Sequence, residues 1–147
     1  EIPLFVKSFL NPLESGTQVG KGVRMRPEIP CYIVKKGLSL LRLSTRDFSF
    51  VVEDNISDIF KLLHKHKMSV DLIQNSAISF SVCVHDKYQN MEALLHSLRA
   101  RFDVLHTPNV MLYTIRHFEE NSANTILKSH DLVLEQRTQT TLQLVMK

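Results

Sequence analysis

Apolar and polar positions recur at two different periods along this chain, and each change of period marks an element. Ile56, Ile59, Phe60 and Leu63 fall at i, i+3, i+4 and i+7, which makes one apolar stripe on a helix. Asp54 or Asn55 is the expected N-cap, with Asp58 three residues past Asn55 in the manner of a capping box. Lys61, His64, Lys65 and Lys67 crowd the last turns, where cations suit the helix dipole. The period then shortens to two. In residues 69–75, Val70 and Leu72 are expected on one strand face, with Ser69 and Asp71 on the other. Ile78, Phe80, Val82 and Val84 alternate with Ser79, Ser81 and Cys83, the pattern of a half-buried antiparallel strand. Residues 74–77 between them are polar and small enough for a tight reversal. Met91, Leu94, Leu95, Leu98 and Phe102 return to the helical period, with Asn90 as N-cap, and residues 103–106 read as a short strand.

With an extended segment at residues 31–43 in front, residues 38–106 spell βαββαβ, the ferredoxin-like order. A shorter copy follows: a strand at 110–115, room for two helical turns at 122–130, and strands at 132–135 and 142–146. Ahead of both, Ile2, Leu4 and Val6 alternate in a strand at 2–9, residues 11–17 are turn chemistry, and residues 18–30 read as a polar, Gly- and Pro-punctuated linker. The fold class expected is α+β. The chain opens inside a strand and without a methionine, which suggests a piece of something longer.

Composition narrows the function classes. Of 147 residues, 44% are hydrophobic and 22% charged, the balance of a folded domain rather than a disordered one. No apolar run approaches the roughly 18 residues that span a bilayer, and no signal peptide opens the chain, so a cytoplasmic protein without a membrane partner is expected. The net charge of +3 is scattered, and its densest cluster ends a helix, which argues against a nucleic-acid partner. Cys31 and Cys83 are too few and too far apart for a disulfide framework or a zinc site. His64 and His66 point to different helix faces, and the other histidines lack ligand-spaced companions, so no metal is expected. With four glycines and no P-loop, dinucleotide fingerprint or Ser–His–Asp arrangement, no catalytic residue is expected either.

Two motifs carry a family resemblance. Ile59-Phe60-Lys61-Leu62-Leu63, running into Met68-Ser69-Val70-Asp71-Leu72-Ile73, then Asn75-Ser76 and an Ile-x-Phe-Ser-Val strand, resembles the core of the regulatory ACT domain of aspartokinases. Upstream and in the same order, Ile2-Pro3-Leu4-Phe5-Val6, Asn11-Pro12 and Gly16-Thr17 resemble the strand and loop that close the family's kinase domain. Val34-Lys35-Lys36-Gly37-Leu38 is similar to the family's entry into the first ACT strand. The helix start departs from the pattern. Asp54-Asn55-Ile56 stands where many members carry a Gly-Phe pair, and that loop forms part of the family's effector pocket.

The resemblance implies tandem ACT domains: residues 1–30 as the end of the kinase domain and linker, 31–106 as the first ACT domain, and 107–147 as a minimal second one. Family ACT domains interleave, so a strand at 31–36 can belong to the second sheet. The implied function is feedback inhibition of aspartate kinase, which phosphorylates L-aspartate with ATP, by an end-product amino acid, lysine or threonine. ATP and magnesium would belong to a kinase domain outside this chain, which itself would hold no cofactor. The implied partners are that kinase domain and a second copy, in a homodimer through the ACT domains. For the effector's carboxylate, the amides around Asn55 and Ile56 offer an anion site at a helix start. For its ammonium, Asp71 offers a carboxylate, with Ser69 and Ser76 as hydrogen-bonding neighbours and Val70 between. A bifunctional aspartokinase–homoserine dehydrogenase would share all of this. An RNA-recognition module, the rival of another class, would need outward aromatics on its central strands, where this chain has Ser79, Ser81 and Cys83.

Overall fold

The computed structural model describes residues 4–21, 29–47, 49–119, 121 and 123–147. Of the strand expected at residues 2–9, Leu4–Val6 forms β1, and residues 1–3 lie outside the described residues. It pairs antiparallel with β2 (Thr17–Val19), which runs from the end of the expected turn into the stretch expected to be linker, of which residues 22–28 also lie outside the described residues. Gly16, at φ +70°, turns the chain into β2. A Cβ there would stand 2.5 Å from the Val6 carbonyl oxygen, so no larger residue fits.

Then come β3 (Cys31–Thr45), α1 (Glu53–Lys65), β4 (Ser69–Asn75), β5 (Phe80–His85), α2 (Met91–Arg99), β6 (Phe102–Arg116), α3 (Asn124–Ser129), β7 (Leu132–Arg137) and β8 (Thr141–Met146). The strands from β3 onward form one antiparallel sheet in the order β4-β5-β3-β6-β8-β7. This is the α+β architecture expected. The two strands expected at 103–106 and 110–115 are a single one, β6, paired with β3 from end to end. Thr107-Pro108-Asn109 reads as a break in sequence, but the ladder absorbs it. Leu40 pairs with Thr107 and Leu38 with Val110, and the register slips between them. Pro108, which has no N–H to give, falls in that gap. Asn109 (φ 55°) on one strand and Gly37 (φ +69°) on the other take left-handed conformations there, and the paired irregularities bend both strands.

The bend divides the interior. On one side, α1 and α2 cover Leu41, Leu43, Phe80, Val82, Val84 and Phe102, with Ile59, Leu63, Leu94, Leu95 and Leu98 filling the helix side. Past the bend, α3 lies over Ile115, Leu142, Leu144 and Met146. The opposite face of the sheet curls on itself. There Leu38, Leu40, Leu72 and Cys83 meet Val110, Leu112, Leu134 and Val145. β5 is therefore buried on both faces rather than half-buried, and Ser81 and Cys83 are interior. Ile78, expected to begin this strand, lies in the hairpin before it at 62% exposure.

The strict alternation expected of residues 69–75 also fails. Val70 pairs with Val84 but Leu72 with Cys83, so Asp71 is an extra residue, a β-bulge. Val70 consequently packs on the helical side and Leu72 on the curled side. Asp71 is turned into the structure. Its side chain is 9% exposed and is ion-paired with Lys35 of β3.

The helix ends differ from the expected caps. α1 starts earlier, with Val52 as N-cap, and Asn55 reaches back to accept from the Val52 amide at 3.0 Å. Asp58 takes no part in capping. It holds Arg101 at 2.6 Å and Lys61 at 3.1 Å, and those partners, Lys61 first, lower its pKa. Asn90 is the N-cap of α2, but the acceptor for the helix start is Asp86, bonded by the amides of Asn90 (2.9 Å) and Met91 (2.8 Å).

Two outcomes follow from these positions. Leu41→Ala empties a fully buried site and should cost about 2–5 kcal/mol, whereas Ile78→Ser should be near neutral. Urea unfolding of the two variants would check the pair, and a large loss from Ile78→Ser would move the start of β5. The second concerns the thiols. Cys31 is exposed, whereas Cys83 is buried, and burial first and the Asp71 charge second push its thiol up to about 12. A thiol reagent at neutral pH should modify Cys31 promptly and Cys83 only on denaturation. Fast modification of both in the native protein would contradict the curled core.

Candidate functional site

The residues expected to meet an amino acid occupy three places in the chain. Asn55 and Ile56 stand at the start of α1. There the Ile56 amide already closes the first helical hydrogen bond, to the Val52 carbonyl at 3.2 Å, so the free amides of this helix start lie before it. Glu53 and Asp54 in the first turn compete with an anion for the same positive end of the helix.

Asn55 opens onto a cavity of about 260 Å³ bounded by Thr45, Arg46, Asp47, Ser49, Arg101 and Phe102. The loop between β3 and α1 is held by its own polar groups. The Thr45 hydroxyl donates to the Ser49 carbonyl at 2.6 Å, and the Ser49 hydroxyl and amide donate to Asp47 at 2.7 and 3.2 Å. The Ser49 hydroxyl, ahead of its amide, holds the Asp47 carboxyl below the usual range. Arg46 donates to the Arg99 carbonyl, and Arg101 is committed to Asp58. The cavity thus joins two cations to a fixed carboxylate at the mouth of a helix.

Ser69, Val70 and Asp71 begin β4, beyond the other end of α1. Thirteen helical residues separate the two places, about 20 Å at 1.5 Å per residue. Ser69 is exposed opposite His85, Val70 packs into the helical core, and Asp71 sits in its bulge against Lys35. Ser76 lies at the far end of β4, in the hairpin. Its amide (2.8 Å) and hydroxyl (3.1 Å) both donate to the Ser79 carbonyl, and the Ser79 amide donates back to that hydroxyl. The hairpin is tied to the helix start by the Val51 amide, which donates to the Ala77 carbonyl at 2.9 Å. Asn55, Ile56 and Ser76 therefore share one end of the unit, and Ser69 and Asp71 the other. A pocket using both sets needs a second copy of the chain.

Sequence reasoning missed Lys35 as the partner of Asp71, since 36 residues separate them. It also missed Arg42, a cation between Leu41 and Leu43 that an alternating strand pattern assigns to solvent. Among the described residues no group of three or more His, Cys, Asp or Glu side chains could hold a metal, and no helix is long and apolar enough to cross a membrane.

No protein-family model matches the sequence, and no curated protein is similar to it. Solved structures are. A putative C-terminal regulatory domain of aspartate kinase from Porphyromonas gingivalis W83 superposes with a TM-score of 0.65 at 15% identity, over 81% of this chain and 86% of that one. Escherichia coli aspartokinase III in complex with lysine and aspartate superposes with a TM-score of 0.69 at 20% identity, over 98% of this chain. Clostridium acetobutylicum aspartate kinase gives 0.76 at 13% identity, over 99%. The chain spans only 35% and 38% of those two enzymes. At these identities the likeness is one of architecture, and the architecture of this chain is that of the ACT-type regulatory region of aspartate kinases.

Proposed function

We propose that this chain is the amino-acid-binding regulatory region of an aspartate kinase, which restrains phosphorylation of L-aspartate by ATP when an end-product amino acid, lysine or threonine, is bound. The observation that carries the reading is Asp71. A strand bulge holds its carboxylate nine-tenths out of water, and its partner is a lysine ammonium whose own side chain is 55% exposed. A half-exposed cation can yield its place to a ligand ammonium, whereas a carboxylate at that depth needs some cation beside it. The carboxylate of the effector would be met by the helix-start loop around Asn55 of a second copy. That completes from two chains the site that one chain divides. An effector bound across two copies favours whichever quaternary state brings them together, and it inhibits only through that difference in affinity.

In this reading the two ACT units are interleaved rather than consecutive. The first takes residues 38–45 of β3, then α1, β4, β5, α2 and the first half of β6. The second takes the rest of β6, α3, β7, β8 and residues 31–35 of β3. Support comes from the pairing of Cys31 with Arg116 and of Lys35 with Leu112, which puts the start of β3 in the second sheet half. Dimerisation through the ACT units is supported by β4, an edge strand whose Ile73 is exposed. An RNA platform is disfavoured, because β5 in the centre of its unit is covered on both faces.

Calorimetry of the chain with lysine and threonine separately tests the reading. Asp71→Asn keeps the shape and removes the charge, so affinity should fall about tenfold to a hundredfold. Lys35→Met removes the competing cation and should tighten binding. If Asp71→Asn binds as tightly as the parent, Asp71 does not meet the ammonium. Sedimentation should show a dimer that the effector strengthens, and a strict monomer at high concentration with effector present would remove the two-chain site.

A further inference from the structure

A second cavity, of about 310 Å³, opens where the curled sheet brings β7 over the hairpin end of β4 and β5. Arg42 of β3, Ser81 of β5 and Gln74 of β4 form one row across its floor, since Ser81 is the register partner of both others. The row lies on the curled face, because the neighbours of Arg42 and Ser81 along their strands, Leu41, Leu43, Phe80 and Val82, belong to the helical core. Val133 and Leu134 of β7 make the apolar wall opposite. Glu135 borders the cleft, but its register partner is Leu144 in the core under α3, which puts its carboxylate on the other face of the sheet. Among the described residues, then, the cleft holds a cation and no carboxylate facing it. The Arg42 guanidinium makes no hydrogen bond or ion pair with any of them. Ser81 is 5% exposed, and its hydroxyl has no partner among the described residues. No buried polar side-chain atom among them is sealed without a partner, so that hydroxyl opens to the cleft.

An unpaired guanidinium beside a buried hydroxyl is the donor set for a carboxylate. The guanidinium fork gives two parallel N–H bonds and the hydroxyl a third, and one positive charge answers one negative. The volume stands at the small end of ligand pockets, which run from about 300 to 1,000 Å³. An α-amino acid is a poor match, since its ammonium would lie near the guanidinium and meet no carboxylate. The wall of Val133 and Leu134 offers apolar surface to a hydrocarbon tail instead. A smaller hollow of about 40 Å³ continues the cleft, sharing Arg42 and Val133 and adding Leu40, Leu105 and Thr107. One water takes roughly 30 Å³ in the liquid, so the hollow receives one methyl-sized group and keeps the tail short. We infer that this cleft is a binding site for a short aliphatic carboxylate without an α-ammonium, complete within one chain. Arg42 and Ser81 hold the carboxylate, Gln74 borders it, and the tail lies along Val133 and Leu134. The inference goes beyond the proposed function, because it uses neither Asp71, nor a second copy, nor an amino acid.

The test is titration of the 147-residue chain, followed by calorimetry and backbone amide shifts, with four probes. These are isocaproate, L-leucine (the same carbon skeleton with an α-ammonium), isocaproamide (the same tail without the charge) and inorganic phosphate (an anion without the tail). Isocaproate should bind and move the amides of Ser81 and Leu134, and the other three should bind at least about tenfold more weakly, the loss of one charge-assisted hydrogen bond. Arg42 is exposed, so Arg42→Gln should weaken isocaproate binding by about tenfold, the low end for a charged donor. Ser81→Ala should weaken it about threefold to tenfold. Asp71→Asn should leave it unchanged, which separates this cleft from the two-chain site. Unchanged circular dichroism of the variants shows that the fold is intact, and the comparison of isocaproate with its amide needs no variant at all. The inference is overturned if isocaproate does not bind at millimolar concentration, or if L-leucine, the amide or phosphate binds as tightly. It is equally overturned if Asp71→Asn abolishes isocaproate binding while Arg42→Gln and Ser81→Ala bind like the parent, an outcome that leaves the two-chain reading standing alone.

Discussion

Everything in this molecule hangs on the ladder between β3 and β6. It is the longest pairing in the sheet, and it alone crosses from the helical core of the first half to the core under α3. Its hydrogen bonds are ordinary, but its irregularities at Gly37 and at Pro108-Asn109 face one another. One without the other would tear the ladder, whereas together they bend it. The bend lets β7 and β8 turn back over β4 and β5, and that return buries Leu72 and Cys83 on a face that simple alternation gives to water.

The polar features follow from the same curl. A flat sheet would leave Asp71 in solvent, and its charge would matter little. Here the bulge and the returning half withdraw it, so it requires a cation, and β3 supplies Lys35 from just before the bend. Arg42 comes to share a cleft with Val133 and Leu134 only because the sheet closes. Electrostatics in this chain is therefore a consequence of topology more than of net charge, which is modest and scattered.

Elements with a sustained period were legible in the sequence. The stripe of α1, the helix α2 and the strand β4 lie where the apolar spacing puts them, because helical and strand periods arise within each element. What escaped was set by partners distant in sequence. β6 could not be seen as one strand, because Thr107-Pro108-Asn109 carries turn chemistry and only the matching slip in β3 tolerates it. The bulge at Asp71 leaves no trace in Ser69-Val70-Asp71-Leu72, where perfect alternation is the simpler reading. For the expected site, residue types were legible but neighbourhood was not. Asn55, Ile56 and Ser76 gather at one end of α1 and Ser69 and Asp71 at the other, a division that follows from the helix length and the antiparallel return.

The facing irregularities of β3 and β6 also limit how this molecule can change shape. On both sides of the bend the register is locked by buried side chains, and a slip of one residue would turn each apolar set to the wrong face. Sliding is therefore closed to it. What remains is rotation about an axis through Gly37 and Asn109, where backbone torsions can absorb an angle without breaking the flanking pairs. Such a rotation takes those two residues as its pin and works against the core that Leu72 and Cys83 share with Leu134 and Val145. A small opening at that pin becomes a larger displacement at the rim, where β7 approaches the hairpin of β4 and β5.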